Sequence, residues 1–191
     1  MRHITLITMV LVVALVASSC ATVAESEKLQ ITKTESALII TVPVSQLTMT
    51  VPQLGFSPER ESGGGSADSP RYFKLLDERR AVIASGWFES AERYGGIERL
   101  WKEDTAEWAK AGLPQPHGVV MQKIGGWSAV LYHMPMPAGA SNSHIRAEFT
   151  LAGTWIDLHL SITSTATDAE CRQQLIDLLR SIKVEEKPKA G

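Results

Sequence analysis

The stretch WIDLHLSITSTATDAECRQQLIDLLRSI, residues 155–182, decides the fold. In its first part, Trp155 to Thr163, apolar and polar side chains alternate. The apolar members are Ile156, Leu158, Leu160 and Ile162, and the polar ones are Asp157, His159, Ser161 and Thr163. Successive side chains of a strand point to opposite faces. The period of two therefore predicts a strand with one buried face and one polar face.

The second part of this stretch predicts a helix. Thr167 and Glu170 have the spacing of a capping box, in which each side chain accepts a hydrogen bond from the other residue's backbone N–H. Apolar residues then recur at helical spacing up to about residue 182: Cys171, Leu175, Leu178, Leu179 and Ile182. A helix with one apolar stripe must bury it against another element, here a sheet.

Similar patterns extend outward from this stretch. Strands are predicted at 29–34, 38–44, 47–51, 72–76, 82–89, 119–124, 127–134 and 144–151. A further helix is predicted between Gly96 and Gly112, with Trp101 and Trp108 on its apolar face. Consecutive hairpins predict a mostly antiparallel sheet with two main helices packed on it, so the predicted class is α+β.

The composition is that of a single globular domain. The 191 residues are 44% hydrophobic and 21% charged, and the formal net charge is −2. Proteins that bind nucleic acid usually carry a basic excess or patch. We therefore expect no nucleic-acid partner.

The first residues predict export. Arg2 precedes the apolar run Ile4 to Val16, and small residues follow, as in a secretory signal peptide. The run is shorter than the roughly 18–20 residues of a spanning helix. We expect a signal peptide at 1–19, a tether at 20–28, one α+β domain at 29–184 and a disordered tail at 185–191.

Small residues directly before Cys20 resemble the lipobox of bacterial lipoproteins, although Ala17 stands where that family prefers Leu. The resemblance implies a covalent lipid at Cys20 and no other cofactor. With Ala21 next, it implies an outer-membrane lipoprotein facing the periplasm, anchored in the membrane by its lipid. The alternative is ordinary cleavage, for example after Ala21 or Ala24, which gives a soluble periplasmic protein. Cys171 is expected to be a buried, small apolar residue.

The order of elements is similar to that of the PsbP-like fold, named for an extrinsic subunit of photosystem II. Three segments carry the resemblance: 48–52, 126–130 and 155–183. It implies a binding or assembly domain. No functional residue of the family matches a position here, and one fold hosts unrelated functions.

Histidine and methionine stand together in HMPMP, residues 133–137. Imidazole and thioether suit copper, particularly Cu(I). The candidate metal ligands are His133, Met134, Met136 and His159, with His117 and His144 if their strands adjoin. Core packing is the competing interpretation, because alternation places His133 and Met134 on opposite faces.

Aromatic side chains in a predicted strand, Trp87 and Phe88, suggest a partner-binding surface, because Trp and Tyr are enriched in interface hot spots. Arg93 and Tyr94 stand beside the glycine pair 95–96 at a predicted helix start, where an anion could bind. The candidates are Trp87, Phe88, Arg93 and Tyr94. Packing in the core is again the competing interpretation. The glycine-rich segment 55–70 is predicted to be a surface loop.

These observations favour a membrane-anchored envelope lipoprotein that acts as a non-catalytic binding or assembly module. The expected partner is a protein, for example a toxin if the chain is an immunity protein. The alternative is a periplasmic protein that binds a small ligand or a metal. A hydrolase comes third, because Asp157, His159 and Ser161 lie in line along one strand and do not converge as a triad does.

Overall fold

The computed structural model describes residues 29–41, 47–59, 71–136 and 139–187. The predicted signal peptide, Cys20 and the tether lie outside these residues, as do residues 60–70 of the predicted loop. In the described part, no helix has the length and hydrophobicity needed to cross a membrane.

The elements alternate between short runs of strands and single helices. The strands are β1 Gln30–Lys33, β2 Ala37–Thr41, β3 Leu47–Pro52, β4 Ser57–Pro58, β5 Tyr72–Asp77, β6 Val82–Ser90, β7 His117–Ile124, β8 Trp127–His133, β9 Ser141–Leu151, β10 Thr154–Ser164 and β11 Lys183–Glu186. The helices are α1 Ile97–Lys110 and α2 Asp168–Ser181, and a 3₁₀ turn occupies Ala91–Arg93.

Two antiparallel sheets are formed by the described residues. The larger has the order β4-β5-β6-β10-β9-β8-β7, and the smaller has the order β1-β2-β3-β11. All the pairings between neighbouring strands are antiparallel. The predicted α+β class, with two main helices on mostly antiparallel sheet, is confirmed. The sequence pattern did not separate the smaller sheet from the larger.

Strand β10 lies at the centre of the larger sheet, between β6 and β9. Its residue Leu158 stands opposite Gly86 on one side and Ala147 on the other. The β10 residues Ile156, Leu158, Leu160 and Ile162 are all buried in the main core. The alternation along β10 therefore gives the larger sheet an apolar core face and an opposite, polar face.

The main core fills the space between the core face, the smaller sheet and α2. Leu38 and Met49 of the smaller sheet and Leu175 and Leu179 of α2 belong to the same buried cluster as the apolar residues of β10. Cys171 is also fully buried there, as predicted, and its thiol is free.

Helix α1 packs on the polar face, opposite α2. Its Trp101 ring lies 4.8 Å from the ring of Tyr132 on β8, measured between centroids. Trp108 lies 5.7 Å from Trp101 in an edge-on arrangement. With Val130, the Trp101 and Tyr132 side chains form a second, smaller core. The predicted helix and its apolar face are confirmed.

Helix α2 begins with the predicted capping box. The Thr167 hydroxyl accepts from the Glu170 backbone N–H at 3.3 Å, and the Glu170 carboxylate accepts from the Thr167 backbone N–H at 2.9 Å. The helix is followed directly by β11, in which Val184 stands opposite Met49 of β3. The prediction of a disordered tail from residue 185 is therefore wrong for Glu185 and Glu186, which are part of this strand.

The predicted loop 55–70 also begins differently. Phe56 is buried in the main core, and Ser57–Pro58 pairs with β5. A single buried aromatic residue beside glycine and proline produces no hydrophobic periodicity. The sequence pattern therefore could not distinguish Phe56 from the loop that follows it.

Shortening a core side chain of β10 is expected to destabilise the protein strongly. Leu158→Ala leaves a cavity where the main core meets the centre of the larger sheet, and comparable substitutions cost about 3 kcal/mol. Urea unfolding followed by circular dichroism measures this change. Thr163→Ala, an exposed position on the same strand, is the matched control and should change the free energy of unfolding by less than about 0.5 kcal/mol. Equal effects of the two substitutions would contradict the central place of β10.

Candidate functional site

Strand β7 forms one edge of the larger sheet, with β8 as its neighbour. Three consecutive apolar side chains on it are exposed: Val119 by 41%, Val120 by 40% and Met121 by 43%. In an antiparallel pair, every second residue of an edge strand directs its N–H and C=O away from its neighbour. The outer side of β7 therefore offers backbone hydrogen-bonding groups beside apolar side chains.

The other sheet edges of the described residues are protected. β4 has two residues and includes Pro58, which has no N–H to donate. β1 and β11 have four residues each, and their exposed side chains are polar or charged. Short strands, proline and charge are the usual means of blocking an edge. Strand β7 is longer, with eight residues, and its one lysine is Lys123.

The start of β7 departs from a regular ladder. His117 stands opposite His133, but the register shifts before Val120, which stands opposite Leu131. Gly118 between them has a φ of +60°, a left-handed conformation that glycine adopts without strain. The regular part of the edge is therefore Val120 to Ile124.

A pocket of about 410 Å³ opens beside this irregular start, between β7 and α2. It is lined by His117, Gly118, His133, Asp168, Ala169, Arg172, Gln173 and Ile176. Residues His117 and Gly118 belong to β7 as well. We refer to Val119, Val120, Met121 and this pocket together as the β7 edge site.

A chain of hydrogen bonds crosses the pocket wall. Arg172 Nη2 lies 2.7 Å from His133 Nε2, and since a guanidinium only donates, Nε2 accepts and the proton of His133 is on Nδ1. The His133 Nδ1–H therefore donates to Ser143 Oγ at 2.8 Å. The Ser143 hydroxyl then donates to Ser141 Oγ at 3.2 Å, and Ser141 donates to Asp168 Oδ1 at 2.5 Å.

Two residues in this series of hydrogen bonds, His133 and Asp168, have shifted pKa values. Burial lowers the pKa of His133, which is 4% exposed, and the nearby positive charge of Arg172 lowers it further against the opposing effect of Asp168. The hydrogen bond from Ser141 is the main cause that lowers the pKa of Asp168. At neutral pH the pocket wall therefore holds a neutral imidazole between a cation and a carboxylate.

A second polar cluster lies on the opposite face, under α1. Arg146 of β9 binds both carboxylate oxygens of Asp157, at 3.2 Å and 2.7 Å, and also bonds Asp104 of α1. Glu148 lies 3.6 Å from the Arg146 guanidinium. The Arg146 guanidinium thus interacts with three carboxyl groups, and its hydrogen bond to Asp104 connects α1 to the sheet.

Glu148 is 2% exposed, and one of its carboxyl oxygens, Oε1, has no hydrogen-bond partner among the described residues. Burial, together with the negative charge of Asp157, raises the pKa of Glu148 to about 8. The other oxygen accepts a hydrogen bond from the Trp155 indole. The raised pKa favours the protonated form of Glu148, which relieves the excess of negative charge around Arg146.

Two histidines continue this cluster along the polar face. His144 Nδ1 and His159 Nε2 are 3.0 Å apart, and the Tyr132 ring is stacked on His144 at 4.9 Å between centroids. Burial lowers the pKa of His144 to about 4 and that of His159 to about 3. Both rings are neutral at pH 7, so one ring donates and the other accepts in their shared hydrogen bond.

The candidate metal ligands do not come together as one site. His133 is on the core face, whereas Met134 packs against the α1 core and His159 lies on the polar face. Met136 is exposed. His117 lies beside His133, and His144 beside His159, so the histidines form two separate pairs. The prediction of one site from His133, Met134, Met136 and His159 is wrong, because the sheet separates its members.

The candidate partner-binding residues are also divided between faces. Phe88 is 1% exposed and belongs to the main core, so its prediction as a binding residue is wrong. Trp87 is half-buried against Tyr72 on the polar face. Tyr94 packs against Trp155, and Arg93 is paired with Glu89 at 2.7 Å. A binding role for Trp87, Arg93 and Tyr94 stays a prediction.

Sequence reasoning missed Arg172 and the exposed side chains of β7. Arg172 looked like one of several polar residues on the outer side of α2. Val119 and Val120 looked like ordinary strand residues, since β propensity does not say whether a strand lies at an edge. The glycine and prolines before β7 were the available signal, because bulges and prolines concentrate at sheet edges.

Among the described residues, the fold and the site define an α+β domain in which β7 is the long sheet edge. No protein-family model matches the chain, and no curated protein sequence matches it.

Solved structures that are similar to it include the following two. A protein from Bacteroides thetaiotaomicron VPI-5482 is 10% identical with a TM-score of 0.45, over 75% of this chain and 46% of that one. This chain thus spans about half the length of the Bacteroides protein. Cyanobacterial PsbP (CyanoP) from Synechocystis sp. PCC 6803 is 11% identical with a TM-score of 0.47, over 83% of this chain and 94% of that one. These values describe a coarse similarity of architecture and carry no information about function.

The buried histidines are expected to make the protein less stable in acid. In the unfolded chain His144 has a pKa of 6.5 and gains a proton below that pH. In the folded protein its pKa is about 4, so it stays neutral over this interval. The contribution of neutral His144 to the unfolding free energy is complete above pH 6.5 and is lost as the pH falls towards 4. Compared with His144→Gln, the native chain should lose about 2 kcal/mol more of its unfolding free energy over this interval, allowing for the partial exposure of the ring.

Urea unfolding at a series of pH values between 4 and 7 measures this difference. Glu148 has the opposite dependence, because its raised pKa stabilises the fold at low pH and that contribution is lost as the pH rises towards 8. Its effect is common to both proteins and cancels in the comparison. Parallel pH profiles for the two proteins would show that His144 is not buried in its neutral form.

Proposed function

We propose that this chain is a non-catalytic binding module that receives an extended segment of a partner protein at strand β7. One observation carries the proposal: β7 is the long, apolar edge in a fold whose other described edges are short or charged. An exposed edge of this kind is the usual template for strand addition. In that mode backbone hydrogen bonds supply affinity, and alternate side chains supply specificity.

The charges at the edge favour a different protein over a second copy. Lys123 lies within the regular part of β7, and the Arg172 guanidinium lies at its start. A second copy would bring the same basic groups to the shared edge. An apolar segment flanked by acidic residues would instead pair with them, and opposite charges across strands stabilise the pairing.

The pocket geometry supports a role without catalysis. In a Ser-His-Asp triad the imidazole takes a proton from the serine hydroxyl. Here the His133 Nδ1–H donates to Ser143, and the opposite nitrogen, Nε2, already accepts from Arg172. His133 therefore has no free lone pair with which to activate Ser143.

The proposal includes the location expected from the sequence. A lipid on Cys20 would hold the domain at the outer membrane, facing the periplasm, and tether 20–28 would separate it from the lipid. Two or three acyl chains anchor a protein stably. A toxin neutralised by an immunity protein is one partner of the proposed kind.

Photo-crosslinking from β7 is expected to identify the partner and its place of binding. A photoactivatable residue at Met121, introduced in cells, should yield an adduct with an envelope protein. The same residue at Leu113, which is also an exposed apolar position but precedes the strand, is the matched control and should yield none. Val120→Lys, which places a charge on the edge, should reduce the Met121 adduct at least about tenfold.

Circular dichroism and urea unfolding would show that the Val120→Lys chain remains folded. An adduct of twice the mass of the chain would mean that β7 pairs with a second copy. An adduct that persists at full yield in Val120→Lys, or forms equally from Leu113, would place the binding surface elsewhere. Each of these results contradicts the proposal.

Replacement of the lipidated residue is expected to release the protein from the membrane. Cys20→Ser should move the chain from the membrane fraction to the soluble fraction, and the mature native chain should carry the mass of its acyl groups. Cys171→Ser is the matched control, since Cys171 is buried in the core, and it should stay with the membrane. An unmodified N-terminus in the native protein would overturn the lipid anchor and leave the soluble periplasmic alternative.

A further inference from the structure

We infer that the pocket at the start of β7 binds a carboxylate group through Arg172. We assign this carboxylate to the segment that pairs with β7, and this assignment rests on the proposed function. The source is either the chain terminus of that segment or an acidic side chain.

Arg172 has hydrogen-bonding capacity to spare. Its Nη2 donates to the Gly118 carbonyl at 2.6 Å and to His133 Nε2 at 2.7 Å. In the part of the chain that the structure describes, neither its Nε–H nor its Nη1 group has a hydrogen-bond partner, and no carboxylate lies close enough for an ion pair. A half-buried guanidinium in a pocket, with three unused N–H donors, is suited to an oxyanion.

The surrounding residues hold the guanidinium in place. His133 accepts from Arg172 because its own proton is fixed on Nδ1 by Ser143, and Ser143 is linked through Ser141 to Asp168. The Gly118 carbonyl provides the second fixed contact. Because two acceptors already orient Arg172, a ligand would lose little side-chain entropy from it on binding.

The charges in the pocket favour a singly charged ligand. Burial lowers the pKa of His133, so this ring adds no positive charge at neutral pH. Asp168 is ionised, since the hydrogen bond from Ser141 lowers its pKa, and it lines the same pocket. Because these two charges offset each other, the pocket has no net attraction with which to compensate the larger hydration loss of a phosphate dianion, and a carboxylate is the better ligand.

The position of the pocket connects it to the edge. Gly118 is both a residue of β7 and part of the pocket lining, and the register shift ends the regular edge at Val120. A segment that pairs with residues 120–124 therefore loses its ladder contacts next to Arg172. A carboxylate at that end of the segment would enter the pocket and fix the register of the pairing.

Titration with small carboxylates tests the pocket without any partner. The probes are sodium propionate, which resembles an acidic side chain, and N-acetylglycine, which resembles a chain terminus. They are added to the purified full chain at constant ionic strength, with sodium chloride as the reference. Side-chain ¹⁵N NMR should show saturable shifts at His133 and Arg172, and Arg172→Gln should weaken the binding at least about tenfold.

Arg180→Gln is the matched control, because Arg180 is an exposed arginine on the same helix, and it should bind the probes like the native chain. Tighter binding of N-acetylglycine than of propionate would assign the chain terminus as the source. Equal binding, or tighter binding of propionate, would assign an acidic side chain.

Shifts that do not saturate, that follow chloride equally, or that persist in Arg172→Gln would overturn the inference. These outcomes leave the Met121 crosslink untouched, because that experiment reports on the edge alone. Conversely, absence of the Met121 crosslink in a chain that keeps Val120 and still binds propionate would contradict strand addition and retain the pocket.

Discussion

The alternation of side chains along β10 is the constraint on which the rest of the structure depends. β10 has a hydrogen-bonded neighbour on each side in the larger sheet, and most of its side chains are buried on both faces. Its apolar residues require a partner on one side, which α2 and the smaller sheet provide. The polar residues on the other side require hydrogen bonds, because a buried polar group without a partner is costly. The core face and the polar face of the larger sheet therefore both follow from the alternation of apolar and polar side chains along β10.

The polar face meets this requirement by sharing partners. Arg146 binds Asp157 with two hydrogen bonds and reaches Asp104 on α1, while the raised pKa of Glu148 favours its protonated form. Sharing a single guanidinium in this way limits the number of charges that must be removed from water. It also ties the position of α1 to the sheet, because Trp101 and Tyr132 supply only a small apolar contact there.

Local patterns in the sequence predicted the elements that depend on local physics. The capping box at Thr167, the helix at Trp101 and Trp108 and the strand at 155–163 were all predicted, because caps and periods act over a few residues. Strand β11 was missed since Lys183 to Glu186 has little apolar character of its own and is held by pairing with β3. Phe88 was misassigned because the side of the sheet that it faces depends on distant strands.

The candidate site was harder to predict for the same reason. An edge is a property of the finished sheet, so the side chains of residues 119–124 do not distinguish it from an inner strand. Arg172 acquires its role only where α2 approaches Gly118, a residue 54 positions away. The metal prediction failed because it assumed that histidines on several strands share one face, whereas pairing places them on two.

The strand order of the larger sheet has a consequence for how the chain reaches its native state. β6 pairs with β10, and the partners Glu89 and Trp155 are separated by α1 and three strands. Closing a loop of this length is slow compared with forming a hairpin, so we expect β5–β6 and β7–β8 to form before the two halves join. Until then the outer side of β6 is a second unprotected edge, rich in apolar residues, and in that interval the chain would be most prone to aggregate.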